Sequence, residues 1–141
     1  MTQPLFPLFG TAGSALTTHR IWMNAIADNI ANVNTVKSMD EAAFQERFII
    51  AQELPGHPGD PIGVGGGVEA AGVELGDEVG IVVYDPGHPL ADENGLVRRP
   101  NVQMADQMTN LILAQRAYQL NLAVVDRARD SYMQALQIDG R

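Results

Sequence analysis

His57, Asp60, Asp85, His88 and Asp92 are the residues of this chain whose types could hold a divalent metal, because imidazoles and carboxylates together bind zinc or iron. A metal-dependent hydrolase would rest on His57 and His88. Both, however, sit in the same tetrapeptide, Pro-Gly-His-Pro, at 55–58 and 86–89, and no helical or strand spacing presets their geometry. The tetrapeptide does not extend into a longer repeat, so it signals turns and not duplication. The run Gly63-Val64-Gly65-Gly66-Gly67 is glycine-rich like a phosphate cradle, but it lacks a lysine and a strand-to-helix setting, so it reads as a flexible turn. His19 falls within a helical pattern and reads as an interface histidine. There is no nucleophile elbow, P-loop or dinucleotide fingerprint. The residues therefore point to a non-enzyme, with no cofactor, metal or small-molecule substrate expected.

Much of the chain is patterned for helix instead. Met108, Leu111, Gln115, Tyr118, Leu122, Val125, Arg129, Tyr132 and Leu136 alternate spacings of three and four, as the a/d seam of a coiled coil does, and seven of the nine are apolar. The predicted helix starts after Asn101, its N-cap, with Pro100 just outside, and runs to about Ile138 before Gly140. Near the start, Ala12, Ala15, His19, Trp22, Ile26, Asn29 and Val33 repeat the rhythm, and Leu16, Met23 and Ile30 form a neighbouring line. This helix is expected from Thr11–Ser14 to Asn32. Asn29, Asn32 and Asn34 mark its end, and Asn29, a polar residue in the seam, can fix register.

Between the helices lies punctuation. Eleven of the 14 glycines and six of the eight prolines fall in residues 55–100. A polar link is expected at 36–41, either a strand or a short helix over Ala42–Leu54 with the strand preferred, and short strands at Gly67–Leu75 and Glu78–Tyr84, a small unit of two or three strands. The fold class is α+β. Long N- and C-terminal helices form an α-helical coiled-coil domain (1–35 and 101–141), and a small β-rich insert (36–100) lies between them.

The chain has 141 residues, no cysteine and a net charge of −8. Residues 48–97 hold nine acids and no Lys or Arg, so the negative charge belongs to the insert while the rest is nearly balanced. Such a chain is a poor partner for nucleic acid, which requires clustered basic residues. The N-terminal run lacks a positive region and is broken by Pro7, so no cleaved secretory signal is expected; no stretch is apolar for the roughly 18 residues of a membrane span.

The two helical stripes must be covered, because a long isolated helix is marginal in water. The shorter first helix can cover only part of the second, which leaves apolar surface for other chains. Packing between subunits is therefore expected at Leu16, Trp22, Met23, Ile26, Asn29, Ile30 and Asn32, and at Met108, Leu111, Gln115, Tyr118, Leu122, Val125, Arg129, Tyr132 and Leu136. An alternative with the same seams is a cytoplasmic helical adaptor or scaffold, stable as an oligomer on its own.

The stretch Ala27-Asp28-Asn29-Ile30-Ala31-Asn32-Val33-Asn34-Thr35 resembles the asparagine motif near the N-termini of bacterial flagellar rod and hook axial proteins, and Gly13-Ser14-Ala15-Leu16 is similar too. Tyr84-Asp85-Pro86-Gly87-His88-Pro89-Leu90-Ala91-Asp92-Glu93-Asn94-Gly95-Leu96-Val97, followed by Arg98-Arg99-Pro100-Asn101-Val102, resembles a hallmark of the proximal-rod members, carried by Tyr84, Pro86, Gly87, His88, Pro89, Asp92, Gly95, Pro100 and Asn101. Arg116-Ala117-Tyr118-Gln119 and Asn121 are similar to the C-terminal helix of that family. Two departures stand out: Asp28 replaces a small hydroxyl residue, and 36–50 lacks a Gly-Pro-Tyr run. The resemblance implies a structural subunit of the flagellar basal body, exported by the flagellar type III apparatus without a cleaved signal. It would assemble in the periplasm into the rod, a drive shaft that transmits torque. Implied partners are copies of itself, other rod proteins, and the rod-base adaptor to the MS ring and export gate. Terminal helices would order on assembly around a central channel, with the insert outward.

Overall fold

The computed structural model describes residues 5–56 and 65–139, with side chains described for 8–56 and 65–137. The first helix, α1 (Leu5–Asn32), has 28 residues and is about 42 Å long. It starts earlier than the sequence predicts. Pro7 lies in its first turn, where the missing N–H breaks no intrahelical bond. The asparagines do end it: the Asn32 side-chain amide donates to the Asp28 carbonyl at 2.9 Å, and the Thr35 hydroxyl donates to Asn32 Oδ1 at 3.1 Å.

Four strands follow, in two separate hairpins, where the sequence predicts two or three strands. β1 (Arg47–Leu54) pairs antiparallel with β2 (Gly67–Leu75), with an irregularity between Ile50 and Ala51. There Ile50 opposes Gly72 and Ala51 opposes Ala70, so Ala71 is the extra residue of a bulge. β3 (Ile81–Tyr84) pairs antiparallel with β4 (Leu96–Arg99). The link after α1 joins this second hairpin: Lys37 N–H donates to the Arg98 carbonyl and Arg98 N–H to the Lys37 carbonyl, both at 2.9 Å. The strands expected within Ala42–Leu54 and at Glu78–Tyr84 are shorter than predicted. Gly80 accounts for the second: its φ is +66°, and a Cβ there would lie 2.2 Å from the Arg99 carbonyl oxygen.

The last helix, α2 (Met104–Asp139), has 36 residues and is about 54 Å long. Its N-cap is not Asn101. Pro100 and Val102 are buried, which holds that stretch extended, and the first helical bond runs from Gln107 N–H to the Gln103 carbonyl at 3.1 Å. Gln103 therefore occupies the cap position.

The two helices run antiparallel. Asn29, near the end of α1, bonds Gln107, near the start of α2, while Leu16, Thr17 and Arg20 share a shallow pocket with Tyr118. Small side chains dominate the core: Ala12, Ala25, Ala114 and Ala128 are buried beside Ile26, Val97 and Val102. The β1–β2 hairpin lies against another side of α1. Ser14 Oγ accepts from Val68 N–H at 3.1 Å, and the Thr18 hydroxyl donates to the Val68 carbonyl at 3.2 Å. Gly67 (φ +109°) permits that approach, since a Cβ would sit 2.1 Å from Ser14 Oγ. The molecule is thus an α+β protein, two terminal helices with a small β region between them.

Candidate functional site

Where the two helices and the first strand meet, the junction is polar. Asn29 and Gln107 are each 1% exposed. Asn29 Oδ1 accepts from Arg47 N–H at 2.9 Å, and Asn29 Nδ2 donates to the Arg47 carbonyl at 3.1 Å and to Gln107 Oε1 at 3.0 Å. Gln107 Nε2 donates to Glu46 Oε1 at 2.6 Å. The Asn29 amide therefore pairs with both backbone groups of one residue, as a neighbouring strand would, and spends its second N–H on α2. A carboxylate at this position has no donor to offer, and an alkyl chain has neither group. Outside the junction the Arg47 guanidinium pairs with Asp28 and lies 5.9 Å from the centre of the Phe44 ring. Asn29 thus ties the end of α1 to both the first strand and the start of α2 within one chain. Gln107, Glu46 and Arg47 were not legible as its partners.

The connection between β3 and β4 is a folded loop held by Asp92. Its Oδ1 accepts the N–H groups of Asn94 at 2.9 Å and Leu96 at 2.8 Å. The Leu96 N–H holds the Asp92 carboxyl below its ordinary value, partial burial opposes this, and the bonds from Asn94 add to the lowering. His88 Nδ1 accepts from Leu90 N–H at 3.1 Å, and Asp85 N–H donates to the Gly95 carbonyl at 2.8 Å. Gly95 is buried at φ +73°, and a Cβ on it would lie 2.9 Å from both Pro86 Cβ and Tyr84 Cε2. Tyr84, Pro86, Gly87, Pro89 and Asn101 are exposed, His88 and Asp92 half-buried, and Pro100 buried. His88 and Asp92 are thus occupied in turn bonds. Among the described residues no three metal-ligating side chains gather; His57 and Asp60 lie outside the described residues, as do Gly63 and Val64 of the glycine run.

The line of α2 that is buried or half-buried in the single chain runs Gln107, Leu111, Ala114, Tyr118, Asn121, Val125, Ala128 and Tyr132. It keeps the alternation of four and three. Only Leu111, Tyr118, Val125 and Tyr132 belong to the predicted seam. Met108, Gln115, Leu122, Arg129 and Leu136 are exposed on one flank. The sequence signal that was missed is Gln107, Ala114, Asn121 and Ala128, a sevenfold line of small and polar residues that lets the helices approach closely. On α1, Ile26 and Asn29 are buried, while Leu16, Trp22, Met23, Ile30 and Asn32 are half-buried. Large apolar residues also stand exposed on a second flank of α2: Leu113, Leu120 and Val124.

Two segments of the chain match family models: residues 9–36 match "Flagella basal body rod protein", and residues 93–138 match "Flagellar basal body rod FlgEFG protein C-terminal". Those segments are α1 with its asparagine end and α2 with the strand before it, the framework of an axial flagellar protein. Over 134 residues the chain is 34% identical to the flagellar basal-body rod protein FlgC of Salmonella typhimurium, covering 95% of this chain and 97% of that one. It is 32% identical to FlgC of Borreliella burgdorferi over the same shares, and 27% identical to FlgC of Bacillus subtilis, with 94% and 97% covered. The chain belongs to the FlgC family of flagellar basal-body rod proteins, whose members are structural rod subunits.

Proposed function

We propose that this chain is a structural, non-catalytic subunit of the flagellar rod, packing against copies of itself and other rod proteins to form part of the shaft that carries torque across the periplasm. The observation that carries the reading is α2. It carries exposed large apolar side chains on both flanks, Met108, Leu122 and Leu136 on one side and Leu113, Leu120 and Val124 on the other. Exposed large apolar side chains on two flanks call for cover, and one chain supplies only one neighbour helix for α2. The helical parts, 1–35 and 101–141, would form the coiled-coil core of the rod, with 36–100 on its outside. Leu16, Trp22, Met23, Ile26, Asn29, Ile30 and Asn32 would join the nine seam positions of α2 in holding that core together. Export through the flagellar type III apparatus without a cleaved signal, and contact with the rod-base adaptor to the MS ring and export gate, complete the proposal. Among the described residues no helix is long and apolar enough to cross a membrane, and the reading needs none.

The test is complementation. Expressed in a motile bacterium lacking its own FlgC, the chain should restore swimming and be present in isolated basal bodies. Retention in the cytoplasm as a stable oligomer, with basal bodies lacking it, would replace this reading with the adaptor.

A further inference from the structure

The second flank of α2 and the outer face of the β1–β2 hairpin are complementary, and we propose that in the assembled state they pack together between two copies of this chain. The inference rests on the rod reading and names one contact within it. On α2, Leu113, Leu120 and Val124 are 51%, 69% and 42% exposed. Arg116 and Arg127 project from the same side by helical spacing and form no ion pair among the described residues. On the hairpin, Ile49, Ala51 and Val68 line a cavity against α1, so the alternate residues face outward. They include Phe48 and Ile50, each 47% exposed. Glu74 stands opposite Phe48 and Glu69 opposite Gln52, whose side-chain amide donates to it at 2.7 Å, so one carboxylate lies beside Phe48 and one just beyond Ile50 on that outer face.

On α2, Arg116 and Arg127 flank Leu120 and Val124, with Leu113 one turn beyond Arg116, while on the hairpin Glu74 and Glu69 accompany Phe48 and Ile50, so the charges beside the two apolar patches have opposite signs. The spacings agree. Arg116 and Arg127 lie eleven residues apart, about 16 Å along a helix. Glu69 and Glu74 face β1 positions four residues apart, about 13 Å along a strand. The two faces are different patches of one molecule, so the contact is head-to-tail and adds copies in series, unlike a closed two-fold dimer. Charge complementarity sets its direction, since turning the helix to another copy's α2 flank would oppose like charges.

The absence of cysteine from the chain makes the contact directly testable. Full-length chain carrying Ile50→Cys is mixed with full-length chain carrying Leu120→Cys and oxidised, and the same pair is co-expressed and oxidised in isolated basal bodies. Both sites are exposed, so folding is unaffected. The mixed pair should give a disulfide-linked dimer at about ten times the yield of a Glu93→Cys plus Leu120→Cys control. Arg116→Glu with Arg127→Glu should remove most of that gain, and Glu69→Lys with Glu74→Lys on the other copy should restore it. A yield no higher than the control in basal bodies that contain the chain overturns the contact and leaves the rod reading standing. Capture of a different rod protein by Leu120→Cys overturns the choice of a second copy. If the wild-type chain is missing from basal bodies, the rod reading falls, and the purified mixture alone decides the contact.

Discussion

Gly95 has no room for a side chain and a backbone conformation that side chains resist. Gly95→Val should destabilise the protein by about 2–4 kcal/mol in a denaturant titration, from positive φ and overpacking against Tyr84 and Pro86. Gly87→Ala is the control: the nearest atom to its new Cβ, Asp85 Oδ1, is 3.9 Å away, so the change should be within about 0.5 kcal/mol. In cells Gly95→Val should reduce swimming more than export. Asp92 sets a second residue-scale prediction. Its folded pKa lies below the ordinary 3.8, so its ionised form stabilises the loop above that value, and the contribution is lost as pH falls through the folded pKa. Below pH 3.8 the wild-type melting temperature should therefore fall more steeply than that of Asp92→Asn, which keeps an acceptor oxygen but does not titrate. Equal slopes would show that the carboxylate charge does not matter there. Both residues were legible in sequence as members of a turn-rich motif. Their bonding was not, because a string of Pro, Gly, His and Asp states that the chain turns without stating which N–H each carboxylate oxygen receives.

At the scale of elements, the two helices were legible in existence, and their mutual register only in part. Periodicity favours large apolar side chains, and it placed Met108 and Leu122 in a seam that, within one chain, uses Gln107, Ala114, Asn121 and Ala128 beside the four shared positions. Close helix contact prefers small residues, which carry little hydrophobic signal. Ala114 is fully buried, so Ala114→Leu should cost about 1–3 kcal/mol by overpacking. Leu122→Ala, at an exposed site, should leave the stability of the isolated chain within about 0.5 kcal/mol while lowering its incorporation into basal bodies. The junction gives a coupled pair. Asn29→Ala and Gln107→Ala should each cost about 1–3 kcal/mol, because each strands a buried polar partner, and the double variant should cost less than their sum. Strict additivity in a double-mutant cycle would mean the two amides act independently. Strands fared less well in the sequence: β4 hides in Leu-Val-Arg-Arg, whose two arginines look like loop, and it is paired on both sides only because the Lys37 link closes over it.

For the whole molecule, composition was the better guide. The uneven charge separates an acidic middle, residues 48–97, from nearly neutral helices, and that stretch begins within β1 and ends within β4. What composition could not supply was the division of the insert into two hairpins, since each strand pairing joins residues far apart in the sequence. The reciprocal bonds between Lys37 and Arg98 draw the two ends of the insert together within one backbone pairing. That makes a narrow neck. Everything between the two residues could be exchanged for another unit whose ends lie equally close, without changing how far apart the helices emerge. The exchange would forfeit the side contacts made by Arg47 and Val68, and nothing in the chain's path through the neck would need to change. The helix pair is in this sense a chassis and the insert a cartridge, so subunits with different inserts could share the contacts that the helices alone make, while contacts made through the β1–β2 hairpin would change with the cartridge.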